Sequence, residues 1–289
     1  MTLPSTITPA QKAPVARRTG ESALASSLRE EALQLLLICA PQAKAAAVRA
    51  LNTQDLPVDT SSCLAEPQGV PGRPIRPILV QPSALKSRAV GTPDGHASLI
   101  HALAHIEANA INLALDIVWR FANMPEAFYR DWWQVAVEEA LHFQLLEAHL
   151  HSLGYAYGDF PAHDGLWDMV NRTRGDVLAR LALVPRTLEA RGLDATPAIR
   201  NKLVSIGDKA GAAILDIILR DEIGHVATGN HWYGVLCAQR GLDPIAAYSQ
   251  LALAHGAPQL KGPFNLPARR AAGFSDAELA ALCGTPQVA

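Results

Sequence analysis

The chain has little of what marks secreted, nucleic-acid-binding or membrane proteins. Its four cysteines, among 289 residues, are scattered without a Cys-x-x-Cys spacing, which argues against a disulfide framework and against a zinc ribbon. A formal charge of −2 gives no overall attraction to nucleic acid or to an anionic membrane. The amino-terminal residues lack the apolar core of a signal peptide, and no apolar run is long enough to cross a bilayer. We therefore expect a soluble, cytoplasmic protein.

Alternating runs of β-branched residues, which would indicate strands, are nearly absent. Helical patterns predict an all-α protein with four long helices, at 95–122, 126–153, 163–191 and 197–239. Pro125, the segment 154–161 and the segment 192–197 separate these helices, as helix breakers do. Long helices joined by short connections favour an antiparallel four-helix bundle over residues 95–240.

The sequences on either side of this bundle differ in character. Residues 1–20 are predicted to be a flexible tail. Residues 21–94 begin with an Ala- and Leu-rich helical pair that is broken at Pro41. From residue 53 they become dense in Pro and Gly, and we expect this part to wrap the core surface in extended form. Residues 241–289 are expected to pack on the bundle as a carboxy-terminal extension.

Acidic residues and histidines recur at one spacing in the predicted helices. The stretches "VAVEEALHFQLL" and "LRDEIGHVATG" each contain a Glu-x-x-His motif, whose two side chains share one helix face. A single Glu in the preceding long helix comes about one helical hairpin before each motif, so the pattern is repeated within the chain. The six residues are Glu107, Glu139, His142, Glu189, Glu222 and His225.

This residue set has the chemistry of a dinuclear metal site. Four carboxylates and two imidazoles on four successive helices can hold two divalent ions in a bundle core, as in ferritin-like di-iron and di-manganese proteins. A lone Glu-x-x-His occurs by chance in many helices, but two of them with two further Glu in order are specific. Buried acids without partners are costly. We therefore predict all six residues as metal ligands, with Glu139 placed to bridge the two ions.

Asp221 and Glu138 come directly before the glutamates of the two motifs. Histidines bound to a metal usually give their other ring N–H to a carboxylate or a carbonyl. Asp221 is therefore predicted to orient His142 from the facing helix, and Glu138 to orient His225. The alternative is that both are ordinary surface acids.

Other polar residues of these helices are expected to have plainer roles. One stripe of the first long helix lies roughly opposite Glu107 and is expected to contact the wrapping segment or solvent. It consists of His101, His105, Asn109, Asn112 and Asp116. His149 is placed to line a channel, and Asp164, beside His163, is predicted to cap the third helix. The sequence does not define the roles of these last three residues further.

Five motifs resemble those of the bacterial ferritin-like DUF455 family, over about residues 25–240. They are "PGRPIRPILV", "HALAHIEANAINLALD", "YGDFPAHDGLW", "VPRTLEARGLDATP" and "ILRDEIGHV". The resemblance implies a ferritin-like bundle with a di-metal carboxylate centre, and all six candidate ligands match that pattern. The chain is also similar, more remotely, to tRNA-modifying di-iron hydroxylases of the MiaE type. His96 stands where the family would have Arg.

The leading functional hypothesis is a di-iron enzyme that activates dioxygen to oxidise or hydroxylate a small organic molecule. Manganese or a mixed pair is the alternative to two iron ions, because both metals accept carboxylate and imidazole. Pro185 is expected to bend the helix that carries Glu189, and Gly224 to leave room beside the centre. The alternative functions are an iron-handling ferroxidase, a manganese catalase and a MiaE-like tRNA hydroxylase. The formal net charge of −2 makes nucleic acid the less favoured partner. The sequence defines neither the substrate nor the oligomeric state.

Overall fold

The computed structural model describes residues 26–284, and the regular structure of that part is helical. The α-helices are α1 (Leu28–Leu36), α2 (Pro41–Ala50), α3 (Pro93–Arg120), α4 (Glu126–Ser152), α5 (Gly165–Arg172), α6 (Val177–Leu183), α7 (Ala190–Ser205), α8 (Lys209–Gln239), α9 (Pro244–Ala254), α10 (Leu266–Ala271) and α11 (Asp276–Gly284). A 3₁₀ turn spans Pro82–Ala84, and a π-helical turn, Val184–Glu189, joins α6 to α7. Within 26–284 the extended pairing is limited to one bridge, between Leu79 and Ala162. The predicted tail, 1–20, lies outside the described residues.

The helices pack in a way that is consistent with a bundle. α3 and α4 form a hairpin along their lengths, α4 lies against α8, and α8 lies against α6, the π-helical turn and α7. The third member of the bundle is thus a succession of short helices rather than one long helix. Outside it, α1 packs on α3 and α2 packs on α4.

Large side chains fill the space between α3 and α4. Fully buried examples are Trp119, Phe128, Tyr129, Trp132 and Phe143. Burying an aromatic or large aliphatic side chain stabilises a fold by about 1.5–3 kcal/mol each. This apolar packing holds the two helices in a fixed register, so polar side chains that point inwards from them have defined positions.

The third predicted helix, 163–191, is interrupted twice. Asp176 starts α6 anew by accepting a hydrogen bond from the N–H of Leu178 at 2.9 Å. The bend expected at Pro185 takes the form of the π-helical turn. At this turn α8 comes so close that a Cβ at Gly229 would lie 2.6 Å from the Cβ of Pro185. Glycine at 229 therefore allows α8 to approach the turn that ends at Glu189.

The predicted helix break at 192–197 is wrong. α7 continues through Pro197 to Ser205, and the chain turns instead at Gly207, whose φ of +86° favours glycine. Proline has no N–H for the carbonyl of Leu193. Asn265 of the carboxy-terminal extension donates its side-chain N–H to that carbonyl at 3.1 Å. A partner far along the chain thus compensates for the proline, and the last long helix begins at Lys209 rather than at 197.

The Pro- and Gly-dense segment between α2 and α3 is irregular, apart from its 3₁₀ turn. Arg29 of α1, which is buried, anchors it by donating to the carbonyls of Asp59 at 2.9 Å and Ser62 at 2.6 Å. Arg29 also donates to the carbonyl of Trp119 in α3 at 2.7 Å. The segment is therefore attached to the bundle. The domain boundaries at 20, 94 and 240 stay predictions.

The carboxy-terminal helices lie against the second half of the bundle. Arg269 of α10 is buried and pairs with Asp194 of α7 at 2.6 Å. Asn230 of α8 donates to the carbonyl of Ala272 at 2.6 Å. Among residues 26–284 no helix combines the length and the apolar character that a membrane crossing requires.

Candidate metal centre

The six predicted ligands project from the elements that the bundle brings together. Glu107 comes from α3, Glu139 and His142 from α4, Glu189 from the end of the π-helical turn, and Glu222 and His225 from α8. Five of these residues are buried, with exposed fractions between 0 and 7 %. Ligand atoms of Glu107, Glu139, His142 and Glu222 all lie within 4.8 Å of one another. These four form a buried cluster that could hold a metal ion.

Glu139 lies between the two histidines. Its Oε2 is 3.3 Å from Nδ1 of His142, and its Oε1 is 2.9 Å from Nδ1 of His225. The two imidazole rings are 5.7 Å apart between centroids. Because each carboxylate oxygen faces a different histidine, this is the side chain best placed to bridge two ions.

The remaining acids surround Glu139 and the two histidines. Oε2 of Glu107 is 3.6 Å from Nδ1 of His142, and Oε2 of Glu222 is 4.0 Å from Nδ1 of His225. The charges of Glu139 and His225 act on the buried carboxyl of Glu189, so it faces the same cluster.

Each imidazole turns one nitrogen inwards and the other outwards. Nε2 of His142 is 3.1 Å from Oδ2 of Asp221, and Nε2 of His225 is 2.8 Å from Oε2 of Glu138. Asp221 and His225 are on α8, whereas Glu138 and His142 are on α4, so the two contacts cross between the helices. With Nε2 donating to a carboxylate, each ring has Nδ1 available as a metal-binding nitrogen.

Several polar atoms of the cluster have no hydrogen-bond partner among residues 26–284. They are Oε2 of Glu107, Oε2 of Glu189 and Oε2 of Glu222. A buried polar atom that lacks a partner costs about 1–3 kcal/mol. Carboxylate oxygens and imidazole nitrogens are the donors that iron, manganese and zinc accept. The donor set therefore fits divalent metal ions.

In the metal-free cluster, the pKa values of the four acids depart from their usual range. Burial and the charge of Glu139 raise the pKa of Glu107 to about 8 and that of Glu189 to about 8, and they raise the pKa of Glu222 well above its usual range. Burial would also raise the pKa of Glu139, but the charge of His225 and the hydrogen bond with His142 outweigh it and lower that pKa. Without metal, protons take the place of cations on most of these acids.

The pKa values of the two histidines are also raised, against the effect of burial. Burial lowers the pKa of an imidazole, yet contacts with Glu107 and Glu139 raise the pKa of His142 to about 12. The charge of Glu139 and the contact with Glu138 likewise raise the pKa of His225 well above its ordinary value. In the metal-free protein, both imidazoles therefore act as cations that balance the buried acids.

The polar stripe of α3 contacts protein rather than solvent, and all its members are buried. His105 bonds to the hydroxyl of Tyr157 at 2.8 Å and to the carbonyl of His163 at 3.1 Å. Asn112 accepts from the amino group of Lys44, whose pKa burial lowers to about 7. The stripe thus lies away from the candidate metal centre, as the sequence predicts.

Of two expectations about nearby residues, that Asp164 is a cap or dipole partner and that Gly224 leaves room at the centre, the first holds in part and the second is wrong. Asp164 occupies the N-cap position of α5, but its carboxylate pairs with Arg73 at 2.7 Å and makes no cap hydrogen bond. The ring of His163 accepts the N–H of Gly165 at 3.1 Å instead. Gly224 is exposed and has open space beside it, so it leaves no room at the centre.

The expectation that His149 lines a channel stays a prediction. His149 meets His96 and Asp208 at the end of the bundle, a group that spacing within one helix could not indicate.

A groove of about 450 Å³ lies at the π-helical turn and is lined partly by Arg186 and Tyr248. None of the six candidate ligands lines this groove.

Fold and site together define the class: an all-helical protein with a buried cluster of carboxylates and histidines that could hold metal. Comparison with known proteins shows that the chain belongs to the family described as "Protein of unknown function (DUF455)", whose model matches residues 37–280. It is 50% identical over 213 residues to a protein of Haemophilus influenzae described as uncharacterized, covering 71% of this chain and 74% of that protein. No solved structure matches the chain.

Proposed function

We propose that this protein is a ferritin-like di-metal carboxylate protein that uses two iron ions and dioxygen to oxidise or hydroxylate a small organic substrate. The observation that carries the proposal is the position of Glu139, whose two carboxylate oxygens face the Nδ1 atoms of His142 and His225. Three further acids surround this unit, and each has a buried oxygen that lacks a partner. If these acids were only held in protonated form, their buried oxygens would be expected to have hydrogen-bond partners.

The six clustered residues are the ones that would hold the two ions. Glu139 is central among them, since its two oxygens face the two histidines, and Glu107, Glu189 and Glu222 would complete the ligand set. Bound iron would supply electrons to dioxygen, which a pair of ions can do together. Five of the six residues are buried, so charge at the centre interacts strongly with these side chains.

The surrounding acids have positioning roles in this proposal. Asp221 and Glu138 fix the two imidazole planes and keep the proton on Nε2, which leaves Nδ1 free to bind. Burial and the charge of Glu139 raise the pKa values of Glu107 and Glu189 to about 8 in the metal-free chain, so these acids would release their protons when metal binds.

Iron handling by a ferroxidase is the second candidate, and the same ligands would serve it. The irregular segment before α3 and the helices α9–α11 cover parts of the bundle surface, which a storage shell of many copies would need for its contacts. This favours the oxidative enzyme. We propose a cytoplasmic location as well, since all four cysteines are free thiols.

The first test is a metal count. Protein produced with added iron should contain about two ions per chain, and Glu139→Ala should lower that number because the bridge is lost. Glu147→Ala is the matched control. Glu147 is a buried acid on the same helix as Glu139, but it accepts a hydrogen bond from Gln42, outside the cluster. A metal content near zero in wild-type protein with all six residues intact would contradict the proposal.

The second test separates the two candidate functions. Anaerobically reduced protein is mixed with dioxygen, and the consumption of dioxygen and the mass of the protein in solution are measured. The enzyme is expected to stop after its two ions per chain are oxidised, unless substrate and reductant are supplied. Continued oxidation of added iron by a shell of many copies would favour iron storage. Disproportionation of peroxide by manganese-loaded protein would favour a catalase.

A further inference from the structure

A second group of metal-binding side chains lies at one end of the bundle, away from the buried centre. It consists of His96 in the first turn of α3, His149 near the end of α4, and Asp208, which precedes α8. The three residues are far apart in sequence and come together only because these helix ends meet. We call them the bundle-end triad.

The triad converges on one oxygen. Nε2 of His96 lies 2.7 Å from Oδ2 of Asp208, and Nε2 of His149 lies 2.8 Å from the same atom. The two rings are 6.1 Å apart and inclined by 61°. Their exposed fractions are 16 % for His96, 9 % for His149 and 5 % for Asp208, so the group is sheltered but within reach of solvent.

The local backbone fixes the carboxylate and keeps the space next to it clear. Oδ1 of Asp208 accepts the N–H of Gly211 at 2.8 Å, which leaves Oδ2 to the histidines. A Cβ at position 211 would collide with that Oδ2 and would come within 3.1 Å of Nε2 of His149. Glycine therefore permits the carboxylate and both imidazoles to meet at one point.

We propose that the bundle-end triad binds one divalent transition-metal ion of the zinc type, independently of the buried centre. Two imidazole nitrogens and one carboxylate oxygen are three of the four ligands that such an ion takes, and water can supply the fourth at the exposed side of His96. On binding, each neutral imidazole takes the tautomer with its proton on Nδ1, which leaves Nε2 to bind the ion. Calcium and magnesium are not expected, because they prefer oxygen ligands.

The geometry requires a small adjustment. With bonds of about 2.0–2.1 Å, a tetrahedral ion holds its ligand atoms about 3.3 Å apart, so the two nitrogens move away from Oδ2 by roughly half an ångström. Rotation of the two partly exposed histidine side chains provides this movement. Once bound, the ion joins the ends of α3, α4 and α8, and it should stabilise the folded state by mass action.

The test compares zinc binding among variants that all retain the six residues of the buried centre. His96→Gln and His149→Gln each remove one triad ligand, and His151→Gln is the control, since His151 is an exposed histidine on the same helix as His149. Zinc per chain is measured by equilibrium dialysis, and cobalt binding by visible absorption. Wild type and His151→Gln should bind one ion more than the two triad variants.

Stability provides the second readout. Zinc should raise the melting temperature of wild type and of His151→Gln by more than that of His96→Gln. Asp208→Asn retains an N-cap oxygen for Gly211 and removes one anionic ligand, so it should weaken zinc binding at least tenfold while the helix content stays unchanged. Equal zinc content in wild type and in the folded triad variants would overturn the proposal. It would identify the triad as a hydrogen-bonded group only, whatever the metal content of the buried centre.

Discussion

Helix α3 carries two buried acids whose surroundings differ completely. Asp116 has no exposed side-chain surface and forms ion pairs with Arg120 at 2.7 Å and with Arg180, which is equally buried. Glu107, about nine residues earlier, has an oxygen that lacks a partner, and it faces another acid and a histidine. Both acids are buried, but Asp116 has two guanidinium partners, whereas Glu107 shares the imidazole of His142 with Glu139.

The pKa values express the same difference. Burial raises the pKa of an acid, yet the guanidinium groups of Arg180 and Arg120 hold the pKa of Asp116 below its usual range. Burial and the charge of Glu139 raise the pKa of Glu107 to about 8. Buried acids therefore indicate an ion-binding site where several of them share too few cations of the chain. An acid that serves the fold, such as Asp116, and an acid that binds metal, such as Glu107, should therefore respond differently to mutation and to metal removal.

Replacing Asp116 should damage the fold most. Asp116→Ala leaves the guanidinium of Arg180 buried without its partner, and breaking such a pair costs about 3–5 kcal/mol. Urea unfolding of the metal-free protein measures the loss. Asp216→Ala, at a half-exposed acid of α8 that pairs with Arg200, should change stability by less than about 1 kcal/mol. A similar small change for Asp116→Ala would show that its ion pairs are dispensable.

Removing metal should have the next largest effect on stability. A ligand that binds only the folded state at 100 times its dissociation constant stabilises it by about 2.7 kcal/mol. Chelation should therefore lower the melting temperature of wild type by several degrees. The same treatment should leave Glu139→Ala unchanged, since that variant holds little metal. A wild-type melting curve that does not respond to chelation contradicts a role of metal in the buried centre.

Changing a positioning acid should weaken metal binding without unfolding the chain. Asp221→Asn removes the charge that holds Nε2 of His142, and loss of such a partner typically costs 10–100-fold in affinity or activity, which is about 1.4–2.7 kcal/mol. Competition with a chromophoric chelator measures the affinity. Asp216→Asn, on the same helix but distant from the cluster, should bind metal as wild type does. An unchanged affinity in both variants would identify Asp221 as an ordinary surface acid.

The smallest effect concerns the metal-free protein and its pH dependence. The folded pKa values of Glu107 and Glu189 are raised from 4.5 to about 8, so between these limits the folded chain holds protons that the unfolded chain has released. Stability must then fall as pH rises across this window. Changing Glu107, Glu189 and Glu222 together to Gln removes this loss and should abolish metal binding.

Thermal melting of chelated wild type and of the chelated triple Gln variant measures this difference. The two should melt at similar temperatures near pH 5, and the variant should melt higher by a few degrees at pH 8. If the variant melts lower at both values, the three acids serve the fold through hydrogen bonds or ion pairs.

Most of what could be predicted from the sequence depends on spacing within one helix. Glu139 and His142 are three residues apart, so their common face follows from helix geometry alone. The start of α8 was missed because the carbonyl opposite Pro197 is satisfied by Asn265, which lies in another part of the chain. The contact between His96 and Asp208 spans 112 residues and has no local signal. Such groups are visible only when the helix ends are placed in space.

The crossed contacts between α4 and α8 have a consequence for symmetry. Asp221 with His142 and Glu138 with His225 are related by an approximate twofold axis, which matches the repeated motif in the sequence. The other acids are not arranged in the same way, because Oε2 of Glu107 is 3.6 Å from Nδ1 of His142 and Oε2 of Glu222 is 4.0 Å from Nδ1 of His225. Two ions bound as proposed would therefore have different surroundings. Loading should then proceed in two separable steps in a calorimetric titration.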